Sequence, residues 1–383
     1  MRMRVVLVML GLIIGALVLV AALHAAPAAD EMDIVRPPSS SDAIDAYASR
    51  LQVGMPERYG NLTLYPISAD GVIVPDLELT LDEAIERGLL EIAELKPAEV
   101  NRVRLVSRAH EPVFIMGGEM LLGAKQDRIA GDDLLIPSGA ELVIPVYCVE
   151  HGRWVAETDA FSSAGALVGT EVRKARQRAD QGAVWSRVAA EQSRLNAPSE
   201  TGAFRSVRES EEVQDKIAPY RRALSDFAAE NTKARGVVAC VGGEIIAADL
   251  FGSRTVFRTL WPKLLESYVI DALDRRVRGS APDPVRIRRW LDGVTRAETS
   301  RKPTPGAGTL YELRGGGVIG SALVYREGVV HMELFRGYAV QPVRFNRLDF
   351  RRERLQQHQD EEPSAELQGE EEGSVQRGFA PSD

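Results

Sequence analysis

The feature that most constrains this chain is its start. Met1–Arg4 is short and basic, Val5–Leu23 is apolar without a break, and small residues follow in Ala25-Ala26-Pro27-Ala28-Ala29. A chargeless run of about 19 residues has no place on the surface of a water-soluble body, and it is long enough to cross a bilayer. The basic start, the apolar stretch and the Ala26-x-Ala28 site are the three parts of a secretory signal. The segment is therefore either cleaved on export or kept as a membrane anchor through residues 5–23. Because the basic residues precede it, the body is expected on the far side of the cytoplasmic membrane, periplasmic or secreted.

Five regions follow from composition. Residues 1–28 are the signal peptide or anchor, and 29–50, with Pro37-Pro38-Ser39-Ser40-Ser41, read as a flexible linker. A main domain occupies 51–300 and a β-rich C-terminal extension 301–355. Residues 356–383 read as a disordered acidic tail. That tail holds eight acidic residues against Arg377, so most of the formal charge of -8 resides there and the rest of the chain is nearly neutral. A neutral body offers no electrostatic footprint for nucleic acid.

Within the body, short apolar runs separated by turn signals predict strands at Arg102–Ser107, Pro112–Met116, Glu119–Leu122, Leu134–Ile136 and Leu142–Val149. Thr80-Leu81-Asp82-Glu83 has the form of a capping box, opening a short helix that Gly88 ends. Residues 170–195 have helical spacing, with Arg173, Lys174, Arg176 and Arg178 on the polar face. A second helix is expected at about 208–230. Strands return at Gly236–Val241 and Glu244–Phe251, then amphipathic stretches at Thr255–Arg276 and Val285–Val294. Strands at Thr309–Leu313, Val318–Tyr325 and Val329–Phe335 close the body. The expected fold is α+β, an antiparallel β-rich body with several amphipathic helices.

Catalytic motifs are sparse. His110, His151 and His331 are the histidines of the body, and none has metal-ligand spacing with another His or with Cys. There is no Gly-x-Ser-x-Gly elbow and no Walker loop, and Ser162-Ser163 has no local base. Gly315-Gly316-Gly317-Val318-Ile319-Gly320 matches a dinucleotide fingerprint in form, but β-branched residues follow where a helix should open, so it reads as a hairpin turn. No cofactor or metal is implied. Cys148 and Cys240 either pair or remain buried thiols, each lying in a strand-like apolar run.

Two polar clusters stand out. Glu119 precedes Lys125-Gln126-Asp127-Arg128, and in an extended strand Lys125 and Asp127 would share one face, Gln126 and Arg128 the other. The second cluster, Cys148-x-Glu150-x-x-Arg153-Trp154, ends a strand with an acid, a base and an aromatic ring. Glu119, Lys125, Gln126, Arg128, Glu150 and Arg153 are the candidate ligand-binding residues, the arginines suiting an anion and the glutamates acid–base work. The alternative at both clusters is an ordinary ion pair at a solvated strand end.

These stretches, together with Ile144-Pro145-Val146-Tyr147, Gln181–Trp185, Asp249-Leu250-Phe251, Trp261-Pro262-Lys263-Leu264 and Ser267-Tyr268, resemble the domain family named for its association with ADP-ribosylglycohydrolases and rhodanese-type phosphatases. The resemblance covers roughly residues 60–275. It implies an α+β domain, and the family name implies work near ADP-ribose or phosphate chemistry. An exported body has little access to cytoplasmic NAD, which sets this chain apart. Two functional readings follow. One is an exported or membrane-tethered binding domain for a polar or phosphorylated ligand or an envelope protein. The other is a hydrolase or transferase acting on a phosphate- or ADP-ribose-bearing substrate.

Overall fold

The computed structural model describes residues 40–337 apart from 76, 78, 154 and 274–278. The expected signal segment and acidic tail lie outside these residues, as do most of the linker and Trp154. The chain enters through helix α1 (Ser40–Ser49) and strands β1 (Leu51–Val53), β2 (Glu57–Tyr59) and β3 (Leu62–Ala69). Helix α2 (Leu81–Glu86) leads into β4 (Leu90–Glu94), β5 (Arg102–Ser107), β6 (Val113–Ile115) and β7 (Glu119–Gly123). Next come β8 (Arg128–Ala130), β9 (Leu134–Ile136), β10 (Glu141–Cys148) and β11 (Phe161–Leu167). Five helices follow, α3 (Thr170–Arg176), α4 (Gln181–Arg194), α5 (Arg205–Glu209), α6 (Glu211–Leu224) and α7 (Phe227–Glu230). The hairpin β12 (Ala234–Val241) and β13 (Glu244–Phe251) precedes the long α8 (Arg254–Ala272) and α9 (Pro284–Leu291). The described chain closes with β14 (Glu298–Lys302), β15 (Thr309–Gly315), β16 (Val318–Tyr325) and β17 (Gly328–Arg336).

The strands form antiparallel sheets, as expected for the α+β class. One runs β1-β3-β12-β13-β17-β16-β15-β14 with β2 beside β3. A second runs β11-β7-β8-β10-β5-β4, and β6 pairs with β9. The large sheet is covered on both faces, which is why its central strands read as continuous apolar runs. Along β12, Val237, Ala239 and Val241 enter one core with α8 and α3–α7. Val238 and Cys240 enter the other with α1 and α9. That is the period-two alternation of a strand. Each valine among them, taken fully out of water, contributes about 1.5–3 kcal/mol. A third core lies under α2 among β4, β5, β9 and β10.

Several boundaries differ from the sequence expectation, each for a local reason. Ile44, Tyr47 and Ala48 fall at helical spacing and are buried, and the Tyr47 hydroxyl donates to the Phe251 carbonyl, so residues 40–49 form α1 and not linker. The strands beyond residue 300 are no appendage: β17 lies against β13 in the main sheet, with Asp249 opposite Glu333 and Phe251 opposite His331. The helix expected over 170–195 is two helices, broken where Ala179 takes φ +52° and the Asp180 side chain accepts the Gly182 amide to start α4. The helix expected at 208–230 is likewise split, Ser210 capping α6 through the Val213 amide. The Gly315–Gly317 turn joins β15 to β16 as a hairpin. The Val113–Leu121 stretch, which echoes the β12–β13 hairpin, forms none, because β6 pairs with β9. Cys148 and Cys240 are buried free thiols.

Candidate functional site

Four of the six candidate residues converge. Gly123 and Ala124 both take positive φ (106° and 46°), so the chain turns between β7 and β8 and the alternating faces expected for residues 125–128 do not form. The turn instead wraps the end of β10. Glu150 Oε2 accepts the Asp127 amide (3.0 Å) and Arg153 Nη2 (2.6 Å), and Oε1 accepts the Thr201 hydroxyl (2.8 Å). Gln126 Nε2 donates to the Glu150 carbonyl (3.0 Å), and Arg128 Nη1 donates to the Gln126 side-chain oxygen (3.0 Å). Arg153 and Arg205 both bridge to Asp127. Burial pushes the Glu150 carboxyl up, but the donors from Arg153, Asp127 and Thr201 outweigh it and hold the group below its ordinary value. Gln126, Asp127, Arg128 and Glu150 are fully buried. Lys125 is only half-buried, and its backbone amide donates to Glu94.

Glu119 lies elsewhere. Its Oε1 accepts Lys263 Nζ from α8 and its Oε2 the Met116 amide (2.7 Å). Lys263 also pairs with Asp82 of α2 (2.6 Å), whose other oxygen accepts the Ser163 hydroxyl. Burial raises the Glu119 pKa, and the ammonium of Lys263 opposes the rise.

The largest polar cluster was not visible as a site in the sequence. Arg173 and Arg176, expected on a solvated helix face, are buried at 0% and 1% exposure. Glu333 accepts from Arg173 Nε (2.9 Å), from Gln177 Nε2 (2.8 Å) and from Arg176 Nη2. Arg173 also bonds Asp249, which accepts the Tyr268 hydroxyl. His331 Nδ1 lies 2.7 Å from Asp133 Oδ2 and its Nε2 lies 3.2 Å from Asp249 Oδ1, with the ring stacked on Phe251. Burial alone would lower the His331 pKa, but Asp133 and Asp249 raise it to about 9, so the ring is an imidazolium donating from both nitrogens. Arg173, Arg176, His331 and Lys302 then balance Asp132, Asp133, Asp249 and Glu333.

Two glycines make this packing possible. A Cβ on Gly117 would lie 2.5 Å from the Arg176 guanidinium, and one on Gly118 would lie 2.9 Å from the Arg173 side chain. The signal that could have exposed the cluster is polar residues in apolar strands: His331 and Glu333 alternate within β17, and Asp249 sits in β13 on the neighbouring strand.

Three solvent-open concavities are lined by residues outside these clusters. One of about 440 Å³ opens at the N-terminus of α8, lined by Val74, Pro75, Leu77, Arg235, Arg254 and Thr255. Another of about 270 Å³ lies between Pro66 and Lys233, and a third of about 230 Å³ between α6 and α8 beside Trp261. Among the described residues no cluster of three or more His, Cys, Asp or Glu is placed to hold a metal ion.

An α+β domain of antiparallel sheets tied together by buried ion pairs is the class these observations define. The chain belongs to the ARPP-1 family, the ARG and Rhodanese-Phosphatase-superfamily-associated Protein domain, whose model matches residues 50–335. The match takes in the final strands β14–β17, beyond the stretch that carried the resemblance in the sequence. No curated protein and no solved structure matches the chain.

Proposed function

We propose that this chain is an exported or membrane-tethered binding domain, displaying its ARPP-1 body outside the cytoplasmic membrane for a polar ligand or an envelope partner. The observation that carries this reading is how the acid–base residues are used. Glu119 and Glu150 are buried with their oxygens engaged by Lys263, Arg153, Thr201 and backbone amides. A general acid or base needs a proton within reach of substrate. The open cleft at α8 presents cations and hydroxyls instead, which bind without exchanging protons at neutral pH.

The alternative is a hydrolase or transferase acting on a phosphate- or ADP-ribose-bearing substrate. It draws support from the Ser163 hydroxyl donating to Asp82, where both residues are partly exposed. Incubating the full-length chain with ADP-ribose, NAD and phosphomonoesters separates the two. The binding reading expects no product above background. Turnover that is lost in Ser163→Ala or Glu150→Gln would replace it with the enzymatic one.

A further inference from the structure

The buried arginines of this body are, with one exception, held against carboxylates. Arg128 meets Glu94, Arg173 meets Asp249 and Glu333, and Arg176 meets Glu333. Arg235 is the exception. It is 8% exposed and spends Nε on the Ala69 carbonyl (2.8 Å) and Nη1 on the Gly252 carbonyl, and it pairs with no carboxylate among the described residues. Arg254, half-buried across the same cleft, has no carboxylate partner there either, and its Nε is buried without an acceptor. Two guanidiniums therefore line one 440 Å³ cleft and repel one another, with Asp70 acting on Arg235 at a distance but no ion pair to either among the described residues.

The third cationic element is the end of α8, a 19-residue helix. Ser253 caps it by accepting the Val256 amide (3.3 Å), and the amides of Arg254 and Thr255 precede the first intrahelical bond and have no acceptor within the helix. The positive end of the helix dipole points the same way. The outer wall is the 73–75 segment, which closes tightly over two glycines. A Cβ on Gly252 would lie 3.0 Å from Pro75, and one on Gly328 would lie 2.8 Å from the Ile73 carbonyl. The wall is therefore seated on the ends of β13 and β17, and the cleft is part of the fold.

We infer that this cleft is an anion site for a phosphate or diphosphate group, held by Arg235 and Arg254 and by the first-turn amides and Thr255 hydroxyl of α8. Guanidinium forks and helix N-termini both match the geometry of phosphate oxygens. Arg235, fixed by two carbonyls, is preorganised, while Arg254 is the adjustable arm. The inference rests on the binding reading above and names the ligand chemistry for it.

The test is calorimetric titration of the full-length chain with inorganic phosphate and pyrophosphate, at fixed ionic strength and with chloride as the control anion. Saturable binding is expected, tighter for pyrophosphate and weakening with salt. Arg254→Gln should weaken it at least tenfold without changing the unliganded unfolding midpoint, because Arg254 makes no ion pair that the fold uses. Thr255→Val should weaken it by a smaller factor. Arg235→Lys, which keeps the charge and loses the fork, serves as the third variant if it folds. An absence of saturable binding to either anion, or binding unchanged in Arg254→Gln, overturns the site. Neither result bears on turnover, so failure here is distinct from failure of the binding reading.

Discussion

Replacing Glu333 with Gln tests whether the central charge cluster ties the two sheets together. Gln keeps the shape and removes one negative charge from a fully buried carboxylate that serves Arg173, Arg176 and Gln177. Arg173 retains Asp249, but Arg176 is left with the Gly131 carbonyl and with Asp132 at 4.0 Å. The new amide also turns an N–H toward donors. Removing one member of a buried ion pair costs about 3–5 kcal/mol, most of it the penalty of the stranded partner. For a body of this size that is a fall of roughly 6–10 °C in the unfolding midpoint. Urea unfolding followed by tryptophan fluorescence reads the same loss as a lower midpoint concentration at unchanged slope. In the double variant Arg176→Met/Glu333→Gln the stranded cation is gone, so the two costs should fall short of additivity by about 1 kcal/mol or more. A Glu333→Gln loss below about 0.5 kcal/mol, or a strictly additive cycle, would refute the assignment.

Three further outcomes follow from the same geometry. With a folded pKa of about 9 against an ordinary 6.5, His331 contributes stability that is complete below pH 6.5 and lost as the pH rises through 9. Asp133 and Asp249 are held below their ordinary value, so their contribution is present above it and lost in acid; His331→Gln should flatten the alkaline limb of midpoint against pH. Both oxygens of Glu191 are buried with no hydrogen-bond partner among the described residues, and burial followed by the charge of Asp271 pushes its pKa well up. Glu191→Gln should therefore be neutral or stabilising at pH 8, and a loss above about 1 kcal/mol in urea unfolding would show that a charge is used there. Burial pushes the Cys240 thiol up to about 12 and raises Cys148 as well, so a thiol reagent should label neither in the folded chain and both in urea.

Strands whose apolar residues run or alternate between clear turn signals were legible to the residue: β5, β9, β13 and β16 match their expected bounds. Most of the missed strands are short or polar; β3 (Leu62–Ala69) is neither and was missed because Thr63, Pro66 and Ser68 interrupt its apolar run. β8 is three residues beginning at Arg128, β14 is Glu-Thr-Ser-Arg-Lys, and β11 carries Ser162, Ser163 and Gly165. Arg173 and Arg176 were misread for a different reason. Helical periodicity assigns charged residues to solvent because isolated buried charge is prohibitive. Their partners lie far along the chain, Asp249 at a separation of 76 and Glu333 at 160 and 157. No local window contains both halves of such a pair. The Glu150 cluster was found because most of its members are close in sequence, Asp127 lying 23 residues from Glu150 and Arg153 three, with β8 paired to β10. That same closeness is what leaves its members satisfied by one another.

The residues that carry the family resemblance fall largely within these buried ties. Glu119 and Lys263 join β7 to α8, Gln126 through Arg128 join Glu150 and Arg153, and Asp249 and Tyr268 belong to the His331 cluster. Gly117 and Gly118 precede Glu119 because the arginines of α3 leave no room for a Cβ there. The motif pattern is thus accounted for by the scaffold, whose sheets meet through charge as well as through apolar packing. A fully paired buried network fixes one arrangement of its elements, since any shift strands a charge in a medium of low dielectric. The residues of these ties are spent on one another, so a ligand must meet surface outside them. The cleft at the start of α8 is one such surface, its two arginines making no ion pair with a carboxylate among the described residues. In this chain the proposed ligand is therefore to be sought at the start of α8, where two arginines make no ion pair with a described residue.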